Sequence, residues 1–128
     1  MNSTDLGSVK NFTSAGAIAK RRFVAFAASE DKVEQAASAA KAVIGVTGIV
    51  GTVAGDERID VYMSGNREVE AGGAFAQGDY ICADAQGRAV LCAPGAGVTA
   101  HAAGVALAAS GAAGQIVPFT INRAIIKG

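Results

Sequence analysis

The sequence predicts an all-β protein: a small β-barrel or sandwich built from two tandem, pseudo-symmetric copies of a short-strand unit, with an extended N-terminal arm. Three observations carry this prediction. Short β-branched or aromatic runs are divided by Gly- and Asp-containing turns, polar and apolar residues alternate with period two, and two stretches of the chain match in order and spacing.

Taken in order, residues 1–14 stand outside the match as an extended arm, polar except for Leu6, Val9 and Phe12. Residues 16–25 then lie on residues 73–82 without a gap, with Ile18 against Phe75, Phe23 against Tyr80 and Val24 against Ile81. The runs Phe23-Val24-Ala25-Phe26 and Tyr80-Ile81-Cys82 read as strands, each followed by a hairpin turn. Val33 and Val90 begin the return strands at the same offset. Ser29–Lys41 contains good helix formers, but its counterpart holds Pro94 among glycines, so residues 32–36 are predicted as strand with one helical turn after them. Gly45-Val46 meets Gly104-Val105, and Gly55 with Ile59–Tyr62 answers Gly114 with Ile116–Phe119, the first copy holding two extra residues in that turn. The four repeat glycines, Gly45, Gly55, Gly104 and Gly114, are therefore expected at turns. Arg58–Met63 alternates as a half-buried strand does, and Glu68-Val69-Glu70 follows suit on a smaller scale. The copies span residues 16–62 and 73–119, inside one β domain at 15–128.

Bulk properties narrow the function. A chain of 128 residues fits one domain. Five phenylalanines, two tyrosines and no tryptophan leave an alanine-rich interior that stabilises weakly, so burial against partner chains is expected to compensate. Eleven basic residues balance eleven acidic ones, which gives no net field toward nucleic acid or an anionic membrane. Residues Ala89 to Asn122 carry no Asp, Glu, Lys or Arg, yet glycines and prolines interrupt them, so they read as protein surface covered by another chain and not as a membrane span. No secretory signal is recognised, which points to a reducing compartment in which Cys82 and Cys92 stay as two small buried thiols, even though they could face each other across a hairpin.

Catalytic chemistry finds few residues to use. His101 is the lone histidine, too few ligands for an ordinary zinc site, and no nucleophile–base pairing is evident. Gly45-Val46-Thr47-Gly48-Ile49-Val50-Gly51 spells G-x-x-G-x-x-G, which is neither the dinucleotide fingerprint nor a P-loop; its glycines are expected where backbones approach closely. No catalytic, cofactor-binding or metal-ligating residues are assigned. Lys20-Arg21-Arg22 is a basic cluster beside a strand, suited to an acidic partner surface.

The order of blocks resembles the capsid cement or head-decoration proteins of tailed phages. Gly45-Val46 through Ala54-Gly55 to Ile59-Asp60-Val61, and again Gly104-Val105 through Ala113-Gly114 to Ile116-Val117-Pro118, carry the resemblance, together with Ala71-Gly72, Gly78-Asp79 and Asp84 to Gly87. Arg21-Arg22 departs from the pattern where the second copy has Gly78-Asp79. The resemblance implies a virion protein, made in the host cytoplasm, that sits on the capsid surface and binds the major capsid protein across subunit boundaries. It also implies a homo-oligomer, trimer ahead of dimer, with no nucleic-acid or membrane partner. Val9, Phe12, Lys20, Arg21 and Arg22 are the expected capsid contacts. The rival from another class is a carbohydrate- or cell-surface-binding β-module of a phage fibre, for which Tyr62 and Tyr80 offer few exposed aromatics.

Overall fold

In the computed structural model, which describes residues 8–29 and 31–128, every regular element is a strand. The first half contributes β1 (Val9–Ser14), β2 (Phe23–Phe26), β3 (Lys32–Gln35), β4 (Gly45–Thr47) and β5 (Arg58–Tyr62). The second contributes β6 (Asn66–Glu70), β7 (Tyr80–Ala83), β8 (Ala89–Leu91), β9 (Thr99–Ala106) and β10 (Ile116–Lys127). The all-β prediction holds, and β3 occupies the segment where helix propensity competed; no helical turn follows it among the described residues.

The first five strands close into a barrel in the order β1-β3-β2-β4-β5, and the second five form a sheet in the order β6-β10-β9-β7-β8. Both obey one pairing scheme. The first strand of each half lies antiparallel to the last, β1 on β5 and β6 on β10; hairpins join β2 to β3 and β7 to β8; β4 and β9 sit between their neighbours. This scheme is compatible with the tandem unit expected from the sequence, but two boundaries move. Val9–Ser14, expected in the arm, is a barrel strand paired to both β5 and β3, while residues 1–7 lie outside the described residues. The expected linker between the copies contains β6. Phe12 and Val69 are the only buried apolar residues of these two strands, and β1 blurs the alternation further with Val9 exposed on its outward face and Ser14 buried.

Register refines the match. Phe26 pairs with Val33 and Ala83 with Ala89, so Ala89, not Val90, corresponds to Val33. Asp56 donates its N–H to Ser14 as Gly114 does to Ala71, so Gly114 answers Asp56 and not Gly55. Gly45 and Gly104 do correspond, but they lie inside strands β4 and β9 and not at the turns expected for them: Val24 pairs with Gly45 and Ile81 with Gly104. A Cβ on either would fall on a carbonyl oxygen of the next strand, that of Tyr62 or Thr120, which explains glycine at both.

Period-two alternation along β2 sends Val24 one way and Phe23 and Ala25 the other. Val24 joins Phe12, Ile18, Val33, Ile44, Ile59 and Val61 inside the barrel. Phe23 and Ala25 face outward and pack, with Ala36, Val43 and Val46, onto the inner face of the second sheet, where Val69, Phe75, Ile81, Val117 and Phe119 lie. Phe23 meets Phe119 edge to face at 5.5 Å between ring centroids. The main core is thus shared between the halves.

Candidate interaction surface

The basic cluster sits at the seam of the two halves. Arg21 adopts a left-handed backbone (φ 53°) where the second half has Gly78 (φ 89°), so the turn geometry survives the loss of glycine. The Arg21 guanidinium pairs with Glu68 at 3.6 Å, and its carbonyl accepts the Glu70 N–H at 3.0 Å. Arg22 pairs with Glu70 at 3.2 Å and donates through Nη1 to the Gln86 carbonyl at 2.9 Å. The acidic partner surface expected for Arg21 and Arg22 is therefore, in this structure, the chain's own second half. Lys20 is exposed, as is Val9, whereas Phe12 is buried in the barrel and packs edge to face on Phe26. The five residues nominated as contacts do not form one surface: one is core, two clasp the halves, two are free.

Sequence reasoning passed over the β4–β5 loop. Three glycines press it onto the barrel. A Cβ on Gly48 would lie 2.7 Å from the Tyr62 ring, one on Gly51 would strike the Ile18 carbonyl, and one on Gly55 would lie 3.1 Å from the Ala15 carbonyl. Thr52 fastens the loop further: it exchanges backbone hydrogen bonds with Ile18, its hydroxyl accepts from the Ile18 N–H at 3.1 Å, and it donates to the Gly16 carbonyl. Between these anchors Ile49, Val50 and Val53 stand 73%, 72% and 87% exposed. The signal was the G-x-x-G-x-x-G run, in which Gly45 and Gly51 mark close backbone approach and Gly48 makes room for the Tyr62 ring; the aliphatics between them carried no sign of which way they would point.

Two hollows flank the seam. A cleft of about 400 Å³ beside Ile49 is lined by Arg21, Tyr62, Asn66, Arg67 and Glu68, with the Arg67 guanidinium 4.2 Å above the Tyr62 ring. A groove of about 540 Å³ lies between Phe26, Val43 and Ile44 on one side and His101, Arg123 and Ile125 on the other.

Cys82 and Cys92 are free, buried thiols in one cluster with Ala100 and Ala102. They are not direct cross-strand partners, since Cys82 lies opposite Val90 and the Cys92 N–H bonds to the Tyr80 carbonyl. Burial pushes the Cys82 thiol up to about 12, and neighbouring Cys92 and Asp84 add to the rise. At neutral pH it is a packed, protonated group. Among the described residues, no group of three or more His, Cys, Asp or Glu is placed to hold a metal ion. The uncharged stretch from Ala89 is accounted for within the chain in part: β9 is an interior strand with Ala100, Ala102, Ala103 and Ala106 buried, and Val117 and Phe119 of β10 are core, while Leu91, Val98, Leu107 and Ile116 stand exposed. No helix among the described residues is long and apolar enough to cross a membrane.

The architecture has a counterpart among solved structures. The crystal structure of the head fiber gp8.5 N base in bacteriophage phi29 superposes with a TM-score of 0.69 at 22% identity, over 94% of this chain and 100% of that one. No curated protein matches the chain. Residues 5–122 match the family model described as phage cement protein, and with that match the class is defined: a structural protein of a phage virion. The chain belongs to the phage cement protein family.

Proposed function

We propose that this protein binds the outer surface of a phage head, cements adjacent major capsid protein subunits, and stabilises the expanded shell without catalysing a reaction. The observation that carries the reading is the cement-family match over residues 5–122. The fold supports it, since a body stiffened by a closed barrel and a shared core transmits load between the points it touches. Stabilisation follows from linkage: a ligand that binds only the expanded lattice favours that lattice by mass action, and many modest contacts sum to a strong clamp. The chain acts as a homo-oligomer, trimer ahead of dimer, and its balanced charge gives nucleic acid no purchase.

The test is sedimentation of the purified chain with expanded, undecorated heads. Co-sedimentation that saturates at a fixed number of copies per capsid subunit is the expected result. A chain that stays in the supernatant overturns the reading. The likeness to a head-fiber base favours one second reading, a carbohydrate- or cell-surface-binding module of a fibre; binding to host cells or glycans, with none to heads, would put it first.

A further inference from the structure

The loop from Gly48 to Gly55 combines two properties. It is locked to the barrel by glycine contacts and by Thr52, and it presents the three most exposed large apolar side chains among the described residues within five positions. Folding alone does not ask for this. The equivalent loop of the second half shares the backbone bridge, Ser110 exchanging hydrogen bonds with Phe75 as Thr52 does with Ile18, but its Gly111 and Gly114 meet no neighbour and the Ser110 hydroxyl donates within the loop to the Ala112 carbonyl. Yet after Leu107 that loop carries only Ala, Ser, Gly and Gln through Gln115. Two loops with one backbone bridge thus differ in how closely they are held and in what they show to solvent, and the aliphatic version costs solubility unless it is covered.

Resting on the cement reading, we propose that Ile49, Val50 and Val53 form the apolar knob by which this protein seats in a recess of the major capsid protein. The chemistry of the loop restricts its partner. No charged residue occurs from Thr47 to Gly55, so the recess must be apolar and its recognition insensitive to salt. Three aliphatic side chains amount to a few hundred Å², well below the roughly 800 Å² per partner that a stable pairwise interface buries. Such a contact is too small to hold two free copies together but suffices on a lattice that offers the site many times. Because the loop is already ordered, little conformational entropy is lost on docking.

The experiment measures binding to expanded, undecorated heads for the wild type, for Val50→Asp/Val53→Asp, for the milder Ile49→Ala/Val50→Ala/Val53→Ala, and for the control Leu107→Asp. Circular dichroism and analytical ultracentrifugation of each chain alone report folding and oligomeric state. The proposal expects both loop variants to fold, to keep the wild-type oligomeric state and to bind at least tenfold more weakly, with Leu107→Asp unchanged. Hydrogen exchange on the wild type should show new protection at residues 48–55 on head binding, a readout that no variant's folding can confuse. Loop variants that bind like the wild type overturn the knob and leave the cement reading intact. Loop variants that fall apart as oligomers while still binding heads also overturn it, because the occupant is then a second copy. A wild type that does not bind heads removes both readings at once.

Discussion

The first half of the molecule fills its own barrel, whereas the second depends on the first to complete its core. The seven buried residues inside the barrel are Phe12, Ile18, Val24, Val33, Ile44, Ile59 and Val61. By register and shared hydrogen bonds their counterparts are Val69, Phe75, Ile81, Ala89, Ala103, Val117 and Phe119, all of which lie in the shared core. Two of these positions shrink to alanine while two others grow to phenylalanine, and Phe23 of the first half packs on Phe119. The halves also treat strained backbone differently. Arg21, Asp31 and Asp56 of the first half hold positive φ where Gly78, Gly87 and Gly114 do so in the second. Asp31 is exposed, but Gly87 is buried against Gln35, Ala36 and Phe23, and its carbonyl accepts the Phe23 N–H. One backbone path therefore admits different residues according to what each half faces.

The largest effect should come from the seam. Phe23→Ala removes a ring shared by both halves and should cost about 3–5 kcal/mol. Because the core is common, calorimetry should show one transition moving down; two separate transitions would mean the halves are independent. Next, Gly45→Ala and Gly104→Ala each drive a methyl into a neighbouring carbonyl and should each cost about 2–3 kcal/mol in urea unfolding, equally in the two halves if the strand crossings are equivalent.

Alkaline pH should then separate the halves, since Ala25 and Ala36 stand in the first where Cys82 and Cys92 stand in the second. The Cys82 thiol titrates near 12 when folded against an ordinary 9.0, so its protonated form favours the folded state; that contribution is complete below pH 9 and is lost as pH rises toward 12. By pH 10 the loss should be on the order of 1 kcal/mol, and Cys82→Ala should remove that part of the slope. The last comparison exchanges turn residues, and its Asp31 arm should give the smallest effect. Asp31→Gly relieves a left-handed backbone at an exposed site and should stabilise by about 0.5 kcal/mol. The converse change, Gly87→Ala, should destabilise by about 1–2 kcal/mol, because both φ and the packing oppose it. Equal and opposite effects would show that the surroundings of Gly87 add nothing.

Much of the fold was legible along the chain. Phe23–Phe26, Arg58–Tyr62 and Glu68–Glu70 declared themselves by β-branched content and alternation, and the matched blocks located equivalent glycines at Gly45 and Gly104. The interaction surface was far less legible. Arg21 and Arg22 have the composition of a contact patch, but their carboxylate partners, Glu68 and Glu70, lie on another strand. Phe12 looks like a sticky residue on a polar arm until pairing with β5 turns it inward.

The sequence by itself determined that the chain is β throughout and pointed to the structural proteins of phage virions, because strand alternation, turn residues and block order are properties of neighbouring positions. Only the tertiary structure decided that the first half closes through a β1–β3 ladder where the second has a single Ala71–Ala89 bridge, that Arg21 and Arg22 are paired within the chain, and that Ile49, Val50 and Val53 face outward. Those outcomes depend on which distant backbone each residue meets, on carbonyls that forbid a Cβ and on carboxylates that satisfy a guanidinium, and such encounters exist only once the strands have paired.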